Sequence, residues 1–425
     1  MIQATKKKLD NGLRIITLPH MDSLASSIFV FVETGSKYET KEINGISHFL
    51  EHMCFKGTKS RPRSIDIAGE LDGIGAAHNA FTSQEYTGYF AKAQPKHFDK
   101  ILDVVSDIYL NQLFDAAEIE KEKGVIMEEI NMYEDTPARK ISDYFLHLLY
   151  GDQPAGWDVA GRKEVIGALK RDDFVDYHSK HYVAESTIVV AAGAFDENEA
   201  ARKMEEKFSA ISAAKKHPKI KTIESQGAPR VFLKTKESDQ THLILGFRAF
   251  GIFDERRHTL EVLADILGGG MSSRLFQRVR EEMGAAYYVY ADSDLFTDHG
   301  YFAAGAGVDN KKAEDVVGAI LEEFVKLAES PVGEEELRRA KDHLIGGLMI
   351  GLETSNQLAS FYGGQEVVKG SFLNPRELSE CIEKVTAGEI LALAKEIARD
   401  DKLNLALIGP FKDGEKFAKI LKTGR

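Results

Sequence analysis

The sequence predicts an α+β chain built of two similar domains, and three observations carry that expectation. Each half opens on β-branched and aromatic stretches. A strand-then-helix pattern recurs in both halves. A polar, proline-bearing segment separates them. At roughly 100–200 residues per domain, the 425 residues suit two domains as the simplest count, and each half is long enough to bury its own core.

The strand-like stretches are Leu13–Leu18 and Ser27–Val32 in the first half, and Arg230–Lys234 and Thr241–Phe247 in the second. All are rich in residues that fit a pleated surface. Long helical patterns follow them, and the hairpin-like connections predict helices packed on largely antiparallel sheets. Gly88-Tyr89-Phe90-Ala91 opens a run that continues to Asp103-Val104-Val105-Ser106-Asp107-Ile108. Gly300-Tyr301-Phe302-Ala303 opens a second run, which reaches Asp315-Val316-Val317-Gly318-Ala319-Ile320 and aligns with the first without a gap. Such a repeat argues for two domains of one fold. The polar stretch from Ala213 to Pro229 is basic, carries Pro218 and Pro229, and reads as the linker. The expected domains are therefore 1–212 and 230–425, with 213–229 between them.

Composition narrows the class. The hydrophobic fraction of 43% and the charged fraction of 29% are ordinary for a globular protein. A net charge of −12 argues against broad nucleic-acid binding, since a phosphate backbone needs a Lys/Arg surface. It permits a basic peptide as partner, although solubility alone accounts for it. The two cysteines, Cys54 and Cys381, make no disulfide framework, and a reducing compartment is expected. Lysines near the N-terminus are followed by no apolar stretch of the signal-peptide kind. No apolar run approaches the ~20 residues of a membrane helix. A cytoplasmic protein that does not engage a membrane is the expectation.

The chemistry concentrates in His48-Phe49-Leu50-Glu51-His52. Histidines at i and i+4 share one face of a helix, one turn apart. Zinc takes such a pair with a third ligand and keeps one position open for water. Glu51, one residue before the second histidine, can face that position and take a proton from the water. Ile46, Phe49, Leu50 and Met53 supply the apolar side that buries the helix, and Asn44 and Gly45 stand where it would begin. The pattern is the inverted H-x-x-E-H form of the commoner H-E-x-x-H. The third ligand should be a carboxylate on another helix. The run Ile119–Met132 has helical periodicity, with Val125, Ile126 and Met132 apolar. Glu122 and Glu129 lie two turns apart on one face, while Glu128 is turned by roughly 100° from Glu129. One glutamate could bind the metal and another could orient a ligand imidazole. Periodicity leaves Glu128 and Glu129 both open.

These residues resemble the pitrilysin, insulin-degrading enzyme and mitochondrial processing peptidase family. His48–Thr58 resembles its H-F-L-E-H-M-x-F-K-G-T signature throughout, with Cys54 at the variable position, read as a small buried hydrophobe. Val125-Ile126-Met127-Glu128-Glu129-Ile130 resembles the family's downstream glutamate helix. By that match Glu129 is the third ligand and Glu122 the acid behind the ligand shell. Gly75–Thr82 resembles the edge-strand motif G-G-x-x-N-A-x-T, with Ala76 in place of the second glycine. Ser273-Arg274-Leu275-Phe276 and Arg280–Tyr287 resemble the S-R-L-F and R-x-x-x-G-x-x-Y patterns of the second domain.

The resemblance implies one zinc ion held by His48, His52 and Glu129, with Glu51 deprotonating its water. It implies that Arg280 binds a substrate carbonyl and Tyr287 stabilises the oxyanion. Asn79 and Ala80 would lie on an edge strand that pairs with an extended peptide. It further implies a clamshell with peptides or unfolded segments cut in a chamber between the domains. The second half carries no H-x-x-E-H and resembles the metal-free partner domain. The length matches the short bacterial members, which act as homodimers. Two other readings exist within the family: a non-catalytic scaffold subunit, and a processing-peptidase subunit that needs a partner chain. Scaffold subunits typically lose metal residues, and all four are present here. The presence of both the metal motif and Arg280 with Tyr287 argues for self-sufficiency.

Three further features suggest less. Leu267–Ser273 is glycine-rich but lacks the G-K-[ST] of a phosphate loop. His178 and His181, flanked by aromatics, read as packed side chains. His78 should point to the strand face opposite Asn79.

Overall fold

The computed structural model describes residues 3–424. Eleven strands among them form two sheets. The strands are β1 (Thr5–Lys8), β2 (Arg14–Pro19), β3 (Ser26–Val32), β4 (Ala77–Thr82), β5 (Thr87–Ala93), β6 (Thr187–Gly193), β7 (Arg230–Thr235), β8 (Gln240–Ala249), β9 (Ala286–Leu295), β10 (Gly300–Asp309) and β11 (Leu403–Gly409). The first sheet has the order β1-β2-β6-β3-β5-β4 and the second β7-β11-β8-β10-β9. The run β2-β6-β3-β5-β4 and the whole second sheet share one pairing scheme: a parallel pair, then three antiparallel pairs. The repeat read from Gly88 and Gly300 is thus one topology used twice, in an α+β fold.

The helices that matter are α1 (Ile46–Met53), α2 (Ser64–Asp72), α3 (Phe98–Leu110), α4 (Ala116–Glu134), α5 (Pro137–Tyr150), α6 (Lys163–Ala168), α7 (Arg171–His181), α8 (Glu197–Lys207), α9 (Arg257–Gly268), α10 (Ala313–Glu329), α11 (Glu334–Ile350) and α12 (Ser355–Lys369). In each copy the repeated segment is a strand leading into a helix on its own sheet: β5 into α3, and β10 into α10. Residues 213–229 form neither helix nor strand.

The chain divides into two compact units that are not contiguous in sequence. The first takes the chain through Asn131, then Trp157–Ile220 and Met349–Asn374. The second takes Met132–Gly156, Lys221–Leu348 and the chain from Pro375. This departs from the linear boundary at 213–229, because each half of the sequence gives one helix to the other half's sheet.

Strand periodicity explains why. Residues i and i+2 share a face. In β3, Ile28, Val30 and Val32 enter the core that includes α1, α3 and α4, while Phe29 and Phe31 face α12 through Leu358, Ala359 and Tyr362. In β8, Leu243, Leu245 and Phe247 join the core with α9 and α10, while Ile244 meets Phe145, Leu149 and Tyr150 of α5. Both central strands are apolar on both sides, and each needs a helix on each side. Each fully buried side chain of this size contributes roughly 1.5–3 kcal/mol, so an uncovered face would be costly.

The fit of α12 is close. A Cβ at Gly363 would lie 2.2 Å from Cε2 of Phe31. Gly363→Val is expected to lower stability by about 1–3 kcal/mol through overpacking. Denaturant unfolding checks this, and an unchanged midpoint would contradict the packing described.

Candidate metal centre

The centre begins with the burial of α1. Ile46, Phe49, Leu50 and Met53 are fully buried at helical spacing, and the ring of Phe49 meets Phe174 of α7 edge-on at 4.7 Å. The helix starts after Gly45, whose φ of 99° favours glycine. A Cβ there would come within 2.8 Å of the Ala160 carbonyl oxygen. With the apolar stripe committed to the core, His48, Glu51 and His52 are left on the more open side. The two imidazoles lie 4.7 Å apart between centroids.

Helix α4 makes a second stripe. Ile119, Ile126 and Ile130 are its buried apolar residues. Val125 and Met132, read as apolar helix positions from the sequence, are more than half exposed at 51% and 54%. The true stripe lies about one residue, or ~100°, from Val125. That phase decides between the two glutamates. Glu128 is exposed, while Glu129 reaches the histidines.

The Nε2 atoms of His48 and His52 lie 3.6 Å and 3.5 Å from Oε2 of Glu129. One ligand atom from each of the three residues falls within 4.8 Å of the others. Ligands about 2.0–2.1 Å from a tetrahedral ion stand roughly 3.4 Å from each other. The spacing and the His2Glu donor set therefore fit a zinc-type catalytic centre. Among the described residues this is the only such group of three or more.

The supporting contacts are specific. Glu122 lies 2.9 Å from the other ring nitrogen of His52, Nδ1, which fixes the tautomer that leaves Nε2 free to ligate. Lys56 holds the second oxygen of Glu122 at 2.5 Å. Burial works against the charge of Glu122, but the bonds to His52 and Lys56 outweigh it and hold the carboxyl below its usual range. For His52 burial alone would favour the neutral ring. Glu122, with the charges of Glu51 and Glu129, reverses that and raises its proton affinity in the metal-free protein. Burial raises Glu51 above the ordinary carboxylate range. A hydrogen bond from Thr82 and the charge of His52 pull it down, and Glu129 adds to the rise. The Thr82 hydroxyl donates to Glu51 Oε2 at 2.5 Å. A carboxylate tuned upward in this way holds a proton more readily than an ordinary one.

Asn79 and Ala80 lie on β4, the edge strand beside β5. Asn79 is exposed and its Oδ1 accepts from the Ala80 N–H at 2.9 Å, while Ala80 is buried. Thr82, two residues on, shares the face of Ala80, and β4 packs against α1.

Arg280 and Tyr287 belong to the second unit, and the structure brings them together. The Arg280 guanidinium donates to the Tyr287 carbonyl oxygen at 2.8 Å and lies 6.0 Å from its ring centroid. Arg280 is exposed, and Tyr287 is 75% exposed.

The histidine pair His178 and His181 serves packing. His178 stacks on Tyr182 at 4.5 Å, and burial pushes it down to about 4. His181 packs on Tyr177, and burial pushes it down to about 4 as well. Cys54 is buried against the Tyr89 hydroxyl, and burial pushes its thiol up to about 12.

Sequence reasoning missed Thr82 and Lys56. Thr82 ends the edge-strand stretch, and its alternation with Ala80 was the available signal. Lys56 follows His52 by four residues and closes the next turn over Glu122.

The comparisons with known proteins agree with this geometry. Residues 15–162 match Insulinase (Peptidase family M16), and residues 168–344 match the Peptidase M16 inactive domain. An uncharacterized zinc protease of Streptomyces coelicolor is 36% identical, over 95% of this chain and 89% of its own length. The uncharacterized zinc protease YmxG of Bacillus subtilis is 35% identical, over 94% of this chain and 97% of its own. The chain therefore belongs to peptidase family M16. A crystal structure of a protease from Helicobacter pylori shares the fold with a TM-score of 0.90 at 21% identity, covering 96% of this chain and 100% of that one. A peptidase M16 inactive domain from Pseudomonas fluorescens has a TM-score of 0.87 at 17% identity, covering 96% and 98%.

Two outcomes are expected. Glu122→Ala should weaken metal affinity by roughly 10–100-fold, measured by competition with a chelator. Metal affinity should also fall as pH falls, starting above the pH at which an unperturbed histidine would titrate. The raised proton affinity of His52 makes the metal displace a proton. Affinity independent of pH would refute this.

Proposed function

We propose that this chain is a zinc-dependent endopeptidase that hydrolyses peptides or unfolded polypeptide segments in a chamber formed by its two halves. The observation that carries the reading is the meeting of His48, His52 and Glu129 with Glu51 beside them, held by Thr82. The naming of its relatives as zinc proteases supports the choice of metal.

A bound zinc ion supplies Lewis acidity, which eases deprotonation of water and draws charge from a carbonyl oxygen. Glu51 accepts the proton of the attacking water and passes it to the leaving amine. Thr82 keeps the carboxylate aimed by occupying one oxygen. Glu122 holds the His52 ring. Arg280 donates to a substrate carbonyl, and the Tyr287 hydroxyl stabilises the developing oxyanion. The free edge of β4, at Asn79 and Ala80, offers main-chain groups to an extended peptide, so affinity depends little on its sequence. One zinc per chain, a cytoplasmic location and a homodimer complete the proposal.

The decisive experiment compares wild type with Glu51→Gln for bound zinc and for cleavage of a quenched peptide. Zinc content should stay the same, and cleavage should fall by about 10²–10⁴-fold. Equal cleavage would sink the mechanism, and absence of cleavage in both proteins would favour the scaffold reading. Arg280→Ala should keep its zinc and lower kcat/KM by roughly 10–150-fold, the worth of a charge-assisted hydrogen bond of about 1.5–3 kcal/mol. Loss of zinc in that variant would show that Arg280 has a structural role instead.

A further inference from the structure

We propose that Glu39 is a positioning residue for the metal centre. Its carboxylate reaches in from outside α1, fixes the first turn of that helix, and so sets the stance of His48, Glu51 and His52.

The first backbone N–H groups of a helix have no partner within it. The cap position of α1 is Gly45, and no side chain there makes a cap hydrogen bond. Glu39 takes that part. Its Oε2 accepts from the Gly45 N–H at 2.7 Å and from Asn44 Nδ2 at 3.0 Å. Its Oε1 accepts from the Ser47 N–H at 2.8 Å. Ser47 directly precedes His48. Glu39 is fully buried, so water does not compete for these donors. Three N–H donors converge on the two oxygens, and that arrangement suits the ionised form.

Burial opposes the charge and pushes the Glu39 carboxyl up to about 7, against hydrogen bonds from Gly45, Ser47 and Asn44 that pull it down. The folded value lies above the unfolded one of about 4.5. Its contribution to stability is therefore complete below about 4.5 and is lost as pH rises through about 7. Above that range the ionised group orders the helix start while opposing global stability. Glu39 thus differs from an ordinary structural cap, which would favour both.

The surrounding titratable groups leave this intact. Tyr177 of α7 bonds Ser47 Oγ at 2.7 Å and Thr34 Oγ1 at 2.8 Å. Burial first, and then the charge of Glu39, hold its phenol far above its usual range and neutral. Asp158 presents its backbone oxygen to Asn44 Nδ2 at 3.3 Å. On the segment of Glu39 itself, Lys37 pairs with Glu85 at 3.6 Å, Tyr38 bonds Glu33 at 3.4 Å, and Lys41 and Glu42 are exposed.

The proposal rests on the metal part of the reading above. Zinc affinity of the full chain is measured by chelator competition at about pH 8 and about pH 5.5, for wild type, Glu39→Gln and Asn44→Ala, with thermal melting alongside. Near pH 8, Glu39→Gln should bind zinc about tenfold or more weakly than wild type. The gap should shrink to below about twofold near pH 5.5, where Glu39 of the wild type is itself neutral. The ratio cancels the titration of the ligands, which both proteins share. Equal affinities near pH 8, or a gap that stays constant with pH and follows a lowered melting temperature, would overturn the proposal. If Glu39→Gln does not fold, Asn44→Ala decides. Removing one donor should move the midpoint of pH-dependent zinc affinity upward, and an unmoved midpoint overturns the idea. Wild type that binds no zinc defeats the metal reading and this proposal with it. Wild type that binds zinc but cleaves no peptide defeats only the peptidase reading.

Discussion

The candidate metal centre depends on two helices burying apolar stripes in one core. Ile46, Phe49, Leu50 and Met53 of α1 and Ile119, Ile126 and Ile130 of α4 belong to the same buried cluster. Each helix has little rotational freedom once its stripe is packed, because turning it would expose aliphatic surface at roughly 25 cal/mol per Å². The polar sides then have fixed directions. His48 and His52 come from one helix and Glu129 from the other, meeting at 3.5–3.6 Å. No side chain of the centre has to order itself alone, since the hydrophobic effect does most of the aligning.

Electrostatics then favours a cation. Glu51, Glu122 and Glu129 converge on two histidines in a half-buried site. In the metal-free state this crowding raises both Glu51 and His52, the one by burial and like charge, the other by neighbouring carboxylates. A divalent ion would relieve both strains, by replacing the His52 proton and by screening the carboxylates. Lys56 already takes that part for Glu122. The hydroxyl of Thr82 brings β4 into the same network, so the edge strand and Glu51 share one support.

The two units follow from a different constraint. A central strand that is apolar on both faces needs cover on both. In each sheet, helices following in the same half cover one face, and a helix from the other half of the sequence covers the other. The units therefore cannot be separated by cutting the chain at the linker, because α5 and α12 would be removed from the sheets they cover.

Much of this was legible in the chain itself. The i, i+4 histidines, the glutamate beside them and the acidic helix are local patterns, and local periodicity is what a sequence displays. The duplicated strand-then-helix run gave the two-fold plan for the same reason. The choice of Glu129 over Glu128 came from family resemblance, since periodicity left both open, and only the packing phase of α4 supplied a physical cause. Thr82 on Glu51, Lys56 on Glu122, Glu39 beneath the start of α1, and the exchange of α5 and α12 join residues that share no local period. The sequence by itself determined which side chains could do the chemistry and which faces were apolar. The tertiary structure alone decided which faces meet, because burial energy depends on surface and shape across the whole core.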